Sequence, residues 1–210
     1  MRTLWLPVVF LSACACYGQS LLLGVKGGVR LTDDITGDAT SESKRYAVGP
    51  MVELQLPFGL GVEFDALYRR EGYYSSSDIE LPTYASERAN SWEFPMLLKY
   101  RLAFPLVKPY VVAGYAPRVM SGSINGISET CNAFTQVCTP SPYHTGADWN
   151  ATHGLVVGGG VQVGFRSLRL SPEIRFTRWN SGAIGVLQAI GFQSTQNQLD
   201  VLLGIAWKMH

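Results

Sequence analysis

Trp92-Glu93-Phe94-Pro95-Met96-Leu97-Leu98-Lys99-Tyr100-Arg101-Leu102 puts Trp92, Phe94, Met96, Leu98, Tyr100 and Leu102 on one parity and Glu93, Lys99 and Arg101 on the other. Successive side chains of a β-strand point to opposite faces, so this stretch is a strand with one apolar and one charged side. The same period recurs along the chain. Val62, Phe64, Ala66 and Tyr68 alternate with Glu63, Asp65 and Arg69; Leu199, Val201, Leu203, Ile205 and Trp207 alternate with Gln198, Asp200 and Lys208. No stretch keeps a helical period.

Eight segments qualify as strands: about 21–31, 45–56, 60–71, 92–103, 109–119, 153–166, 168–179 and 197–208. Each is close to the length that a tilted strand needs to cross a bilayer. Short turns join segments 2–3, 4–5 and 6–7, whereas long polar connections, including 72–91 and 120–152, join the others. Sorting short turns to one side and long loops to the other is the pattern of a barrel in an outer membrane. The expected fold is all-β, an eight-stranded antiparallel up-and-down transmembrane β-barrel.

The cost of burying charge assigns the faces. An Arg or Lys facing lipid at the midplane costs about 2–4 kcal/mol, so the charged parity must point inward. A soluble lipocalin-like barrel would invert this arrangement. Glu53, Glu63, Asp65, Glu93, Glu173 and Asp200 are thereby set against Lys26, Arg30, Arg69, Lys99, Arg101, Arg166 and Arg175. The expectation is an ion-pair network filling the lumen, because unpaired burial would be prohibitive. Aromatics should form two girdles, with Tyr46, Tyr68, Trp92 and Trp179 at the long-loop end and Phe58, Phe104, Phe165 and Trp207 at the short-turn end. Pro50, Pro95, Pro117 and Pro172 fall inside strands, where each removes a ladder donor, and call for bulges or gaps.

Composition narrows the classes. The chain has 210 residues, 47% hydrophobic and only 16% charged, with net charge +1. That excludes binding of nucleic acid through bulk positive charge, and it excludes disorder. Met1-Arg2, the apolar Leu4 to Leu11 and the small residues that follow read as an export signal over 1–18, with cleavage between 13 and 18. Leu11-Ser12-Ala13-Cys14 also has the form of a lipoprotein lipobox. Cys131 and Cys138 lie in a polar stretch and, in an oxidising compartment, are expected to form a disulfide. Zinc would need two further ligands, and only His144 is near in sequence; no metal and no cofactor is expected.

A resemblance adds to this. Trp92 to Arg101, followed by Lys108-Pro109-Tyr110-Val111-Val112-Ala113-Gly114, is similar to the central signature of the PorT-like outer-membrane β-barrel domain family. Val157 to Val161 and Ser171-Pro172-Glu173-Ile174-Arg175-Phe176-Thr177 also resemble that family. The resemblance implies fold and location, and carries no biochemical activity.

The sequence therefore predicts a non-enzymatic outer-membrane barrel whose long loops face the exterior. Its expected partners are outer-membrane lipids, the barrel-insertion machinery during assembly, and an extracellular ligand held by the loops. Phe134, Tyr143, His144 and Trp149, in the 120–152 connection, are the candidate recognition residues. Two alternatives stand beside this: a lipid-modifying barrel enzyme using a Ser–His pair, and a secreted soluble binder. His144, His153 and His210 are the available histidines, and none stands in a recognisable Ser/His arrangement.

Overall fold

The computed structural model describes residues 20–32, 35–36, 40–41, 45–77, 83–131, 138–180 and 193–209. The proposed signal over 1–18, Phe134 and His210 lie outside the described residues. Among the described residues thirteen strands follow in order: β1 (Ser20–Arg30), β2 (Ile35–Thr36), β3 (Thr40–Ser41), β4 (Tyr46–Gln55), β5 (Leu60–Asp65), β6 (Leu67–Ser77), β7 (Thr83–Glu93), β8 (Met96–Arg101), β9 (Val107–Cys131), β10 (Cys138–Phe165), β11 (Leu168–Trp179), β12 (Gln193–Ser194) and β13 (Asn197–Met209). All pairings are antiparallel, and β13 closes on β1. β5 with β6, and β7 with β8, each form one stave of the wall, so the closed barrel has eight.

The interruptions coincide with proline. Ala66 separates β5 from β6, and its amide donates to the Pro50 carbonyl at 3.0 Å. Pro50 has no N–H to return the bond. Phe94-Pro95 separates β7 from β8: Phe94 donates to the Pro117 carbonyl at 2.9 Å and Asp65 donates to the Pro95 carbonyl at 3.1 Å, again without reciprocity. Opposite Pro172, the β10–β11 ladder skips Val161 and Gln162. The pairing resumes in the same register beyond each gap, so proline opens the ladder without shifting it.

Parity sorts the wall as the charge argument requires. Val25, Val48, Leu98, Val111, Leu155 and Ile174 are exposed on the outside, while Lys26, Glu53, Glu63, Lys99 and Arg175 are buried inside. Glycine lets the strands close around these long side chains. A Cβ on Gly28 would lie 2.0 Å from the Val201 carbonyl oxygen of β13, and one on Gly24 would lie 2.1 Å from that of Ile205. At the short-turn end, Phe58 and Gly59 take positive φ of 60° and 80°. Glycine carries that conformation without strain at position 59, where a Cβ would also meet the Arg101 carbonyl oxygen at 2.3 Å.

Two expectations about the wall are corrected. Arg166 does not face the lumen; it sits exposed at φ 54° in the tight turn between β10 and β11. Trp179 is not in the outer girdle; it shares the parity of Glu173 and Arg175 and is buried inside. The connection 120–152 is also not simply a loop. β9 runs on to Cys131 and β10 starts at Cys138, paired through this region apart from a register shift between Ala147 and Asn150. β7 continues alongside β9 to Tyr84↔Ile127, and β6 alongside β7 to Ser77↔Thr83. The Ser, Thr, Gly and Asn of these extensions show no apolar alternation, the pattern of a sheet with no buried face.

The filled lumen and the projecting hairpin

Among the described residues, seven basic side chains are buried within the barrel (Lys26, Arg30, Arg69, Lys99, Arg101, Arg118, Arg175), together with seven acidic ones (Glu53, Glu63, Asp65, Glu71, Glu93, Glu173, Asp200). They fall into two clusters. The cluster nearer the short turns centres on Glu63, which Lys26 and Lys99 contact directly and Arg175 meets at 3.2 Å. Lys26 also lies 3.4 Å from Asp65 and 3.3 Å from Glu173. Arg175 reaches Asp65 at 2.9 Å and Glu173 at 2.6 Å. Glu53 ties in Lys99 at 2.8 Å and contacts Arg101. Tyr110 donates to Glu173 at 3.0 Å, and the Lys99 ammonium lies 4.3 Å from the centre of its ring. Four cations here meet four carboxylates, so the cluster is neutral as a unit.

The second cluster lies toward the long-loop end. Arg69 contacts Asp200 at 3.0 Å and lies 3.6 Å from Glu93, and Arg30 lies 3.6 Å from Glu71. Gln198 joins the parts: its amide nitrogen donates to Asp200 at 2.7 Å and to Glu93 at 3.3 Å. Its carbonyl oxygen accepts from Arg30 and from the Trp179 indole at 2.9 Å. The Arg118 guanidinium stacks 3.9 Å above Trp179 and donates to Thr152 at 3.1 Å. Apolar side chains pack beside the charges. Leu97, Tyr110, Val112, Ala116, Val156 and Trp179 pack along one wall, and Leu22, Met51 and Ala206 pack near the short turns.

Tyr110, Arg118 and Trp179 are lumen residues that the sequence does not assign to the inside. Tyr110 and Arg118 share a parity with Val112, but segment 5 is apolar on both sides, which hides the inward face. Gln198 stands on the inward parity of its strand, as read from the sequence, but its bridging of Glu93, Asp200, Arg30 and Trp179 emerges only in the structure.

The recognition candidates are placed differently from one another. The Tyr143 ring lies across Gly126 of β9, where a Cβ would approach it to 2.5 Å. His144 has the opposite parity and bonds through Nδ1 to the Asn125 amide oxygen at 2.6 Å. Trp149 lies in β10 at the register shift. Tyr143 and His144 are thus on opposite faces of the hairpin. His153 stacks on Tyr115, with ring centres 5.7 Å apart, and meets Asn180 at 2.8 Å. Among the described residues no group of three or more His, Cys, Asp or Glu is placed to hold a metal ion.

A closed wall that is apolar outside and filled with paired charge inside defines a membrane-spanning β-barrel. The chain matches the model of the outer membrane protein beta-barrel domain over residues 3–183 and belongs to that family, which places it in the bacterial outer membrane. No curated protein matches it. Among solved structures it is similar to a major outer membrane protein of Thermus thermophilus, at 11% identity and TM-score 0.48, covering 90% of this chain and 99% of that one. It is also similar to neisserial surface protein A, at 13% identity and TM-score 0.45, covering 91% and 99%. A third is the Ail protein of Yersinia pestis, solved with the heparin analogue sucrose octasulfate, at 10% identity and TM-score 0.44, covering 91% and 97%.

Proposed function

We propose that this protein is a non-enzymatic, non-conducting outer-membrane mount that holds a β-sheet extension outside the cell for surface recognition. The continuation of β6, β7, β9 and β10 beyond the apolar band supports it most. A paired extension presents side chains on a rigid frame, as binding residues on a scaffold require. The balanced lumen supports the passive barrel, since eight staves leave room for side chains and little else. Residues 1–18 act as the export signal, and the 92–101 and 108–114 stretches favour a place among the PorT-like members of the family.

An epitope inserted after Phe134 tests the orientation. Intact cells should bind its antibody, whereas the same epitope inserted after Phe104 should be reached only in broken cells. The opposite pattern would overturn the exterior assignment. Replacing residues 122–147 with a short turn should leave a barrel that shifts mobility on heating in a detergent gel; loss of that shift would overturn the role of the barrel as an independent mount.

A further inference from the structure

The outer wall carries a small polar cluster just above its aromatic band. Tyr68 of β6 and Trp92 of β7 face outward with ring centres 5.3 Å apart, and Phe94 stacks on Trp92 at 6.3 Å. One outward position further along each strand stand Arg70 and Asn90, paired directly across the ladder, and then Arg88 opposite Gly72. On the far side of β7, Ser121 is opposite Asn90. Arg70, Arg88 and Asn90 are exposed. Asn90 accepts a hydrogen bond from the Tyr68 hydroxyl at 2.7 Å, which leaves its amide nitrogen as a donor beside the two guanidinium groups.

Two like charges placed diagonally on one face repel, and neither arginine has a carboxylate partner among the described residues. The nearby acids Glu71 and Glu93 face the lumen and are buried there. The buried charges of the barrel balance, while this pair outside does not. Arg70 lies about 7 Å along the strand from Tyr68, at two residues of rise. Aromatic side chains of a girdle sit at headgroup depth, so the guanidinium groups stand where lipid phosphates lie.

We infer that Arg70, Arg88 and Asn90, seated on the Tyr68–Trp92 pair, form a binding site for the phosphate headgroup of a lipid at the long-loop face of the membrane. Charge complementarity selects the occupant. Forked guanidinium donors match phosphate oxygens, and the aromatic pair packs against the first carbons of the acyl chains. The site deepens the proposed function by naming a lipid class that anchors the mount. It rests on the long-loop end being one membrane face, whichever compartment that face meets.

The test uses the refolded full-length barrel in micelles doped with a diacyl phosphatidic acid or with the diacylglycerol of the same chains, read by native mass spectrometry. Micelles have no sidedness, so the outcome is independent of the epitope experiment. Phosphatidic acid should remain bound where diacylglycerol does not. Arg70→Gln with Arg88→Gln should weaken it about tenfold or more, whereas Arg166→Gln at the turn end should leave it unchanged. Equal retention of both lipids, or by the double variant, would overturn the proposal. So would displacement of the lipid by millimolar inorganic phosphate, which would mark a site for the free anion.

Discussion

Glu63→Gln is the most informative single change. Glu63 is fully buried and accepts from Lys26, Lys99 and Arg175, each on a different strand. Glutamine keeps the volume and removes the charge, so the neutral cluster becomes one with an uncompensated cation. Removing one partner of a buried ion pair destabilises a protein by about 3–5 kcal/mol. Three cations share this carboxylate, so the upper part of that range is expected. Urea unfolding of the refolded barrel in detergent, followed by tryptophan fluorescence, gives the measurement, with the heat-induced gel shift as a check that the variant closes. A second change isolates charge from shape: adding Lys26→Gln should restore neutrality and recover part of the loss, as a coupling of about 0.5–3 kcal/mol. Strictly additive losses, or a Glu63→Gln barrel as stable as the parent, would refute the claim that charge balance holds the lumen together.

The remaining predictions concern the backbone. Gly28→Val forces a Cβ to within 2.0 Å of the Val201 carbonyl oxygen, an atom of the closing strand β13 that cannot step aside; stability should fall by about 1–3 kcal/mol, measured as above. Cys131 and Cys138 are directly opposite in the β9–β10 register, so mass spectrometry of the alkylated protein should find no modified cysteine at these positions before reduction and two after it. Pro140 and Pro142 lie on β10 where, among the described residues, only β9 pairs with it. The parity of the ladder turns their missing N–H groups to the unpaired edge, as a strand protected against further pairing requires. Pro140→Thr with Pro142→Thr should therefore produce self-association, seen by analytical ultracentrifugation in detergent, while the barrel remains folded.

What was legible in the sequence depended on contrast. Glu93, Lys99 and Arg101 set against Leu98, Tyr100 and Leu102 fixed both the strand and its inward face, because lipid outside and paired charge inside are opposite solvents. Strand segments followed wherever that contrast held. It vanished at Met120 and Thr152, and the continuing ladder was invisible there, since backbone hydrogen bonds leave no mark on a sequence without apolar alternation. Trp179 shows a different failure. Its depth along the strand suggested the girdle, although its parity with Glu173 and Arg175 already put it inside. Arg166 was counted with the inward charges by type, whereas its place beside Ser167 in a two-residue turn withdraws it from the wall. Arg70 and Arg88 were legible as charges, yet only the register shows that they are neighbours.

Lys26 and Glu173 meet in the lumen across 147 residues of chain, and Arg69 and Asp200 across 131. The first pair joins β1 to β11 and the second joins β6 to β13, so the second forms only once the closing strand is in place. Asp200 and Gln198 lie on β13, so their contacts with Arg69 and Arg30 form only when the last strand arrives. The network toward the long-loop end is then completed only at closure. A chain cut short before β13 would leave Arg69 without Asp200 and Arg30 without Gln198, facing a membrane that rejects them. The lumen thus acts as a test of completeness: only a whole barrel can afford to be in the bilayer.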